Sequence, residues 1–552
     1  MRAINLKTNH LTAPLGMDAG PLFLSWQCVD GVRQTAYEIE LTANGETVWH
    51  SGKVQSAAVH ADAPTVGGSR VRGCWRVRLW DENDTPGAWS EAHFETGLAQ
   101  SDWQGEWVDP ETEEIDIPGD DAVNAFARPN WERKQAEKEA AGKGAAEPYK
   151  PHRPASYLRK VFTAPKSDAR LYITAKGLYV AWLNGKRIGD MVLAPGSFTG
   201  NKHLGAQTYD VTALLHEGEN ELLIALGDGW HRSTGGVDGD RDLFGDRLGV
   251  LFQLEVDGQA VCVSDGSMQA TQCGPIRQND MQQGEVYDAR LEGELTGWHG
   301  VRAYRDDLPI TGMNTVPILE HEAFPGKLLQ TPNGETVLDF GQNIAGYVEM
   351  ALTARAGQKV KLTCGEALDE NGNFTQENFQ DRARHKEGGT AQMLELVCKE
   401  GKTHFKPHFT IMGFRYAKVE TDAAFTAHAV YSDMAVTGKF TCGNDAVNQL
   451  VKNSIWSQKG NFCDIPTDCP TRERAGWTGD MGVFIETGLT LMDCYPVAEK
   501  WLVPPEPVPG RAHGEHCPAE RPPRLYDPDA LHVGRVGRCG DSGAVCPVQT
   551  HG

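Results

Sequence analysis

The feature that most constrains the fold is a period-two alternation of apolar side chains. Leu22, Leu24 and Trp26 alternate with other residues, and the runs YEIEL and CWRVRLW repeat this pattern. Such alternation puts the apolar side chains on one face of a strand. Turn formers recur at about 8–12-residue spacing, and Asn44-Gly45 is a strong hairpin signal. The sequence therefore predicts an antiparallel β-sandwich over residues 1–99.

Strand-like segments return in two further blocks of the chain. YLRKVF, ARLYITAKGLYVAWL and NELLIALGDGW predict a second β-sandwich over 100–312, with Asn184-Gly185 as a hairpin turn. VLDFGQNIAGYVEMAL and HFTIMGFRYAKVE predict a third β-sandwich over 313–434. The charged insertion 110–153 has no apolar stripe to bury, so it is assigned no chemistry. The first sandwich resembles a fibronectin type III module, which implies a packing or spacer domain.

The period lengthens after Thr437, where helical spacing replaces alternation. DAVNQLVKNSIWSQK predicts a helix with Asn444 or Asp445 as its N-cap, and MGVFIETGLTLMDCYPVAEKWL predicts a second helix. The fold class is therefore multidomain, with several antiparallel β-sandwich domains followed by the beginning of an all-α domain at 435–502. Residues 503–552 are rich in Pro and Gly and predict an aberrant, low-order tail. It is either an ordinary disordered tail or a shifted reading frame, and we favour the shifted frame.

Composition narrows the classes of partner. Across 552 residues, 75 acidic and 53 basic side chains give a net charge of −22, which argues against nucleic acid or an anionic membrane as partner. We find no apolar run of the ~18 residues that span a bilayer, and no apolar signal-peptide region at the N-terminus. The 13 cysteines lack a CxxC pair, which indicates reduced thiols and predicts a cytoplasmic protein.

The densest group of chemically active side chains is DIPTDCPTRERAGWTGD, residues 464–480. Its prolines and glycines forbid a continuous helix, which predicts a loop between the two helices. Such a loop can gather its acids Asp464, Asp468, Glu473 and Asp480, and crowded carboxylates raise one another's pKa. With Trp477 as a platform for a sugar ring, paired acids suit glycosidic bond cleavage. On residue types alone, an acidic, Arg-paired surface loop is equally consistent.

The order of residues in this loop closely resembles the signature of bacterial α-L-rhamnosidases, glycoside hydrolase family seventy-eight. DFGQNIAGYV (339–348), FTIMGFRY (409–416) and GDGW extend the resemblance from about Ser156 to Leu502. The family has β-sandwich domains preceding an (α/α)6 barrel. The resemblance implies that 100–312 is a rhamnosidase N-terminal domain, that 313–434 is a concanavalin-like domain, and that 435–502 is the incomplete start of the catalytic barrel.

The resemblance also implies roles for individual residues. Glu473 would be the general acid that protonates the leaving glycosidic oxygen. Asp468 and Asp480 would bind rhamnose hydroxyls, and Arg472 and Trp477 would line the sugar pocket. The family inverts the anomeric carbon, so a second carboxylate ~6.5–9.5 Å away must activate water. In the family this base is a later glutamate with no match here. We therefore expect a chain truncated or frameshifted after about residue 502 to be weakly active or inactive.

No metal or cofactor is predicted. His404 and His408 are four residues apart, but Pro407 lies between them and no Glu follows His404, so the HExxH zinc pattern fails. The alternating aspartates of VDGDRD resemble a calcium loop, yet they lack the glutamate at position twelve and the flanking helices of an EF-hand. This segment is interpreted as a solvated loop.

Four residues of the resembling segments are given no part in the predicted chemistry. For Asp339, Gln342 and Asn343, a turn-forming role is favoured over a role in a polar pocket. Met412 stands where the family often carries a histidine, a departure with no interpretation from sequence.

The sequence therefore predicts an inverting α-L-rhamnosidase acting on small-molecule or oligosaccharide rhamnosides, with a homo-oligomer left open. The rivals are a carbohydrate-binding protein without catalysis and a different (α/α)6 enzyme, such as another inverting hydrolase or a lyase. Turnover that depends on Glu473 would distinguish a rhamnosidase from a carbohydrate-binding protein without catalysis. A lyase would leave an unsaturated product that absorbs in the near ultraviolet.

Overall fold

The structure is a computed structural model, and it describes residues 1–113, 153–235, 241–379, 391–420 and 423–502, together with the isolated residues 136, 139, 140 and 142. Most of the predicted charged insertion 110–153 and all of the predicted tail 503–552 lie outside the described residues. So do two aspartates of the VDGDRD segment, whereas Asp242 is described.

The first sandwich follows the predicted alternation. Its strands are β1 (Arg2–Thr8), β2 (Leu15–Met17), β3 (Gly20–Val29), β4 (Ala36–Ala43), β5 (Glu46–His50), β6 (Val54–Gln55), β7 (His60–Val66), β8 (Arg72–Trp80) and β9 (Ser90–Thr96). They form the sheets β1-β3-β7 and β2-β9-β8-β4-β5, with β6 paired to β4. Leu22, Leu24 and Trp26 are buried between the sheets. Asn44 and Gly45 both have positive φ, which confirms the predicted hairpin.

The second block supplies fifteen described strands. They are β10 (Trp107–Asp109), β11 (Ser156–Ala164), β12 (Ala169–Lys176), β13 (Leu178–Leu183), β14 (Lys186–Arg187), β15 (Leu204–Asp210), β16 (Gly218–Gly227), β17 (Gly249–Val256), β18 (Gln259–Val263), β19 (Gln269–Thr271), β20 (Ile276–Asp280), β21 (Gly284–Asp288), β22 (His299–Gly300), β23 (Arg302–Tyr304) and β24 (Ile310–Gly312). Thirteen of them form two facing sheets, β23-β10-β17-β12-β15-β24 with β18 on β17, and β14-β13-β16-β11-β19-β22.

The two remaining strands of that block, β20 and β21, belong to the third sheet. Its other strands come from β25 (Ile318–Pro325), β26 (Lys327–Gln330), β27 (Thr336–Ala354), β28 (Lys359–Gly365), β29 (Ala367–Leu368), β30 (Phe374–Thr375), β31 (Met393–Val397), β32 (Gly401–Phe405), β33 (Met412–Val419) and β34 (Ala424–Ser432). Hydrogen bonds join ten described strands in the order β20-β21-β31-β28-β33-β27-β34-β25, with β26 and β32 on β27, while β29 and β30 pair separately. The second and third blocks therefore interlock through the β20–β21 hairpin.

After the third sheet the chain becomes helical, as predicted, with one correction. The described helices are α1 (Gly229–Arg232), α2 (Asp445–Asn461), α3 (Thr478–Leu491) and α4 (Tyr495–Leu502). Asn444 caps α2, since its side chain accepts the N–H groups of Ala446 and Val447. The single helix predicted from MGVFIETGLTLMDCYPVAEKWL is wrong, because the chain leaves helical geometry at Met492. Pro496 lacks an N–H and so fits the first turn of a new helix better than the interior of a long one.

The first sandwich also contacts the helical region. The Nζ of Lys7 forms an ion pair with Asp493, just after α3. The ring of His10 packs against the ring of Tyr495 in α4, with centroids 4.0 Å apart. None of the helices in the described ranges is long and apolar enough to cross a bilayer.

Candidate functional site

The acid-rich loop connects α2 to α3, as predicted, and a tiny hairpin starts it. Strands β35 (Phe462–Cys463) and β36 (Ile465–Pro466) pair across Asp464, whose φ is 72°. The Asp464 carboxylate is fully buried. Its Oδ2 accepts hydrogen bonds from the Ser197 N–H and from Lys500 Nζ. Asp464 is thus an anchor between the loop, the second sandwich and α4, and it does not join the other acids as expected from the sequence.

Burial changes the pKa of Lys500, which is the ion-pair partner of Asp464. The Lys500 ammonium lies 3.8 Å from the centroid of the Phe198 ring. Loss of water lowers the pKa of Lys500, and the negative charge of Asp464 partly opposes this effect. The backbone approaches closely because residue 196 is a glycine with φ of 105°, and a Cβ there would lie 2.2 Å from Asp464 Oδ2. The anchor therefore depends on a position where only glycine fits.

Asp468 closes the next part of the loop. Its Oδ1 accepts the Ala475 N–H at 3.0 Å, and its own N–H donates to the Ala475 carbonyl at 3.2 Å. In the segment between Asp468 and Ala475, the Glu473 N–H donates to Cys469 Sγ at 3.4 Å. The loop is thus cross-linked by its own polar groups on both sides of Glu473.

The Glu473 carboxyl meets the exposed aromatic residue of the loop. Trp477 Nε1 donates to Glu473 Oε2 at 2.8 Å, and Arg472 Nε lies 3.7 Å from Glu473 Oε1. The Glu473 side chain is 16% exposed, whereas Trp477 is 45% exposed. The loop therefore holds a sheltered carboxyl group beside an indole ring that is open to a ligand. This geometry favours a sugar-binding acid site over a plain surface loop.

The other two predicted site residues lie at the margins of this group. The Arg472 guanidinium is half-exposed and reaches the Asn378 carbonyl at 3.5 Å. Asp480 is exposed in the first turn of α3, where the helix dipole favours a negative charge. Arg472, Glu473 and Trp477 are therefore in direct contact, while Asp468 lies in the same loop and Asp480 follows it on the helix.

The sequence did not predict that Arg474 attaches this loop to residues outside it. The Arg474 guanidinium donates to the carbonyls of Thr471, Met281 and Ile411, and to Gln392 Oε1 at 3.3 Å. Burial lowers the pKa of Arg474 to about 10, so the side chain is still a cation at neutral pH. The Arg-paired surface loop considered above thus fails for this arginine. No sequence signal marks its distant partners, which are the carbonyls of Met281 and Ile411 and the side-chain oxygen of Gln392.

One of the segments that resemble the family packs directly against the loop. Gly413 of FTIMGFRY lies under it, and a Cβ there would be 2.7 Å from Pro470 Cγ and Thr471 Cγ2. Met412 is fully buried in the core of the third sheet. The residue that departs from the family pattern is therefore a packing residue in this chain.

Asp339 has the predicted turn-forming role. Its Oδ1 accepts the Gly341 N–H at 2.7 Å, and both carboxylate oxygens accept from Arg415 at 2.9 Å. The Arg415 guanidinium holds the pKa of Asp339 below its usual value. Gln342 and Asn343 complete this bulge, which lies within strand β27, and Asn343 donates to Glu366.

His404 and His408, which are four residues apart, form hydrogen bonds with different carboxylates. His404 bonds Glu349, whereas His408 Nδ1 lies 3.0 Å from Glu285 Oε1. Among the described residues, no group of three or more His, Cys, Asp or Glu is arranged to hold a metal ion. The prediction of a metal-free site stays a prediction.

The chain matches four family models in succession. These are the Rha78A-like N-terminal immunoglobulin domain at residues 3–100, the α-L-rhamnosidase N-terminal domain at 164–325, the bacterial α-L-rhamnosidase concanavalin-like domain at 329–437, and the bacterial α-L-rhamnosidase six-hairpin glycosidase domain at 435–505. The matched N-terminal domain is described as immunoglobulin-like, and the finer resemblance to fibronectin type III stays a prediction.

Individual relatives agree with these matches. An α-L-rhamnosidase of Formosa agariphila is 32% identical over 551 residues, which cover 90% of this chain and 55% of the relative. The structure of an α-L-rhamnosidase from Aspergillus terreus is similar with a TM-score of 0.75 and 29% identity, covering 90% of this chain and 56% of that one. A Streptomyces avermitilis α-L-rhamnosidase complexed with L-rhamnose gives 0.77 and 26%, with 91% and 64% covered.

The chain spans about half the length of the curated relatives that it matches. Within that span, the order of sandwiches, third sheet and first helices is the order of the four matched domains. The loop signature noted in the sequence lies inside the match to the six-hairpin glycosidase domain. The chain therefore belongs to the bacterial α-L-rhamnosidase family.

Proposed function

We propose that this protein hydrolyses terminal α-L-rhamnosides with inversion, and that Glu473 is the general acid. The observation that carries the proposal is the contact between the sheltered Glu473 carboxyl and the exposed indole of Trp477. An acid beside an aromatic platform can protonate the oxygen of a sugar stacked on that platform. The α-L-rhamnosidases among the relatives support rhamnose as the sugar.

Two donors lie close to the carboxyl group of the proposed acid. Trp477 Nε1 donates to Glu473 Oε2 at 2.8 Å, and Arg472 Nε lies 3.7 Å from Glu473 Oε1. When the proton leaves, the Trp477 N–H and the nearby Arg472 guanidinium stabilise the carboxylate that remains.

The remaining predicted residues are proposed as ligands of the sugar. Asp468 and Asp480 bind rhamnose hydroxyls, while Arg472 and Trp477 line the pocket. Inversion needs a second carboxylate that activates water from the opposite face, ~6.5–9.5 Å from the acid. This base is left unassigned. No cofactor or metal enters the proposed reaction.

The test compares two substrates that differ in leaving group. Methyl α-L-rhamnoside needs protonation of its leaving oxygen, whereas p-nitrophenyl α-L-rhamnoside releases a stable anion with little help. General acids contribute about 10²–10⁴-fold, so Glu473→Gln should lower kcat by that factor on the methyl glycoside and by much less on the p-nitrophenyl glycoside. NMR of the first product anomer should show β-L-rhamnose, the inverted form.

Binding provides the control for this test. Glu473→Gln should still bind L-rhamnose in calorimetry, whereas Trp477→Ala should bind it more weakly because the stacking surface is lost. Equal turnover of both glycosides by wild type and Glu473→Gln would reject the assigned acid. Rhamnoside binding that is unaffected by Glu473→Gln, with no turnover, would favour a carbohydrate-binding protein instead.

We also propose finer assignments for the surroundings of the site. The first sandwich acts as a fibronectin type III-like packing module, and the protein works in the cytoplasm without nucleic acid or membrane partners. The ten cysteines in the described ranges are all free thiols, which supports a reducing compartment. Light scattering of the purified protein tests whether it forms a homo-oligomer.

A further inference from the structure

One tight turn outside the acid-rich loop is unusually well fixed. It joins β20 to β21 at residues 280–283 and is buried. Asp280 Oδ1 accepts the N–H groups of Gln282 and Gln283, each at 2.9 Å. Asp280 Oδ2 accepts both the N–H and the hydroxyl of Thr234, again at 2.9 Å. Four accepted hydrogen bonds compensate the buried carboxylate, so the turn is rigid.

This turn contacts the loop on both sides of Glu473. The Gln282 side-chain amide donates to the Arg472 carbonyl, immediately before Glu473. The Arg474 guanidinium, immediately after Glu473, donates to the Met281 carbonyl. The backbone at 472 and the side chain at 474 are therefore attached to two adjacent residues of one turn.

We propose that the Asp280–Gln283 turn positions the acid, with Gln282 and Asp280 as positioning residues that act on Glu473 through its two chain neighbours. The inference rests on the proposed function, since it gives Glu473 a place that matters for catalysis. Because β20 and β21 lie in the third sheet while Thr234 follows α1, the turn ties the acid to two domains. An error of about 1 Å in a catalytic group costs up to ~100-fold in rate.

The experiment uses the Trp477 indole as a reporter, because its N–H is bonded to Glu473. The full chain is labelled with ¹⁵N-tryptophan, and Trp477→Phe identifies the Trp477 indole resonance. Gln282→Ala should shift that resonance beyond its linewidth and lower kcat on methyl α-L-rhamnoside by ~10–100-fold, with KM changed less than twofold. Gln282→Met removes the donor but keeps the length of the side chain without adding a charge, and it should act in the same direction if Gln282→Ala fails to fold.

Gln253→Ala is the matched control, because Gln253 is also buried and also donates to a backbone carbonyl, that of Asp102. It should leave both the resonance and kcat unchanged. A wild-type Trp477 resonance in both Gln282 variants would overturn the positioning role, whatever the turnover. A shifted resonance with unchanged kcat would overturn the catalytic importance of the turn. The comparison of two glycosides with Glu473→Gln tests the acid independently, so the two proposals fail separately.

Discussion

The buried pair of Asp464 and Lys500 allows a quantitative prediction for the base of the loop. Asp464 is fully buried, and the side chain of Lys500 is 11% exposed. Removing one partner of a buried ion pair leaves an uncompensated charge and costs about 3–5 kcal/mol. Asp464→Asn keeps the shape of the side chain and an oxygen that can accept the Ser197 N–H. Its cost therefore comes mainly from the unpaired Lys500 ammonium.

The double variant tests this reasoning. Lys500→Met alone leaves the Asp464 carboxylate buried without its cation and should also cost about 3–5 kcal/mol. Asp464→Asn with Lys500→Met contains no buried charge at this position, so it should cost only about 1–2 kcal/mol. The coupling free energy between the two substitutions should then exceed about 3 kcal/mol.

Native-state hydrogen exchange with mass spectrometry is the suitable assay, since a multidomain chain does not unfold in two states. In each single variant, peptides from β35 to α4 should exchange at least ~150-fold faster, because 1.4 kcal/mol corresponds to tenfold. The exposed pair Arg2 and Asp30 is the control, with side chains 56% and 70% exposed. Its coupling should stay below about 1 kcal/mol. Additive single effects at Asp464 and Lys500 would refute the buried-pair argument.

Three further perturbations have definite expected outcomes. Gly413→Ala should displace the loop at Pro470, since the added Cβ would lie 2.7 Å from that ring, and we expect kcat on methyl α-L-rhamnoside to fall ~10–100-fold; wild-type turnover would contradict this. Trp477→Phe keeps the ring and removes the donor to Glu473, so kcat should fall ~10-fold with a nearly constant KM, and a large rise in KM would contradict this. Burial lowers the pKa of His10 to about 4 from 6.5. The unfolded state therefore binds the proton first as pH falls from 6.5 towards 4, and stability decreases across that window. The full shift would be worth about 3 kcal/mol, discounted to about 1–2 kcal/mol for partial exposure. Exchange of N-terminal peptides at pH 7 and pH 5 should show a smaller pH effect in His10→Gln, and an equal effect would contradict the assignment.

Short-range signals predicted much of this structure. Alternation found the buried strands, Asn44-Gly45 found a hairpin, and Asn444 found a helix start, because each depends on neighbouring residues. The same holds for the loop itself, since its prolines and glycines exclude a helix locally.

Contacts between residues far apart in the chain could not be predicted from the sequence. The acid Asp464 looked like a site residue, but its partner Ser197 is 267 residues away, and this contact makes it an anchor. Gln282, 190 residues before Arg472, carries no motif at all. Strands β20 and β21 were expected in the second sandwich, yet they complete the third sheet. The role of such residues and strands depends on the partners that they meet in the folded chain, and residue type does not identify those partners.

The ion pair between Lys7 and Asp493 has a consequence for biosynthesis, since its partners are 486 residues apart. At about 5–20 residues per second, the ribosome needs roughly half a minute or more between the two residues. The N-terminal sandwich must therefore stay folded, or remain foldable, on the nascent chain long before its helical neighbour exists. This contact can therefore close only after Asp493 has left the ribosome, long after Lys7 has done so.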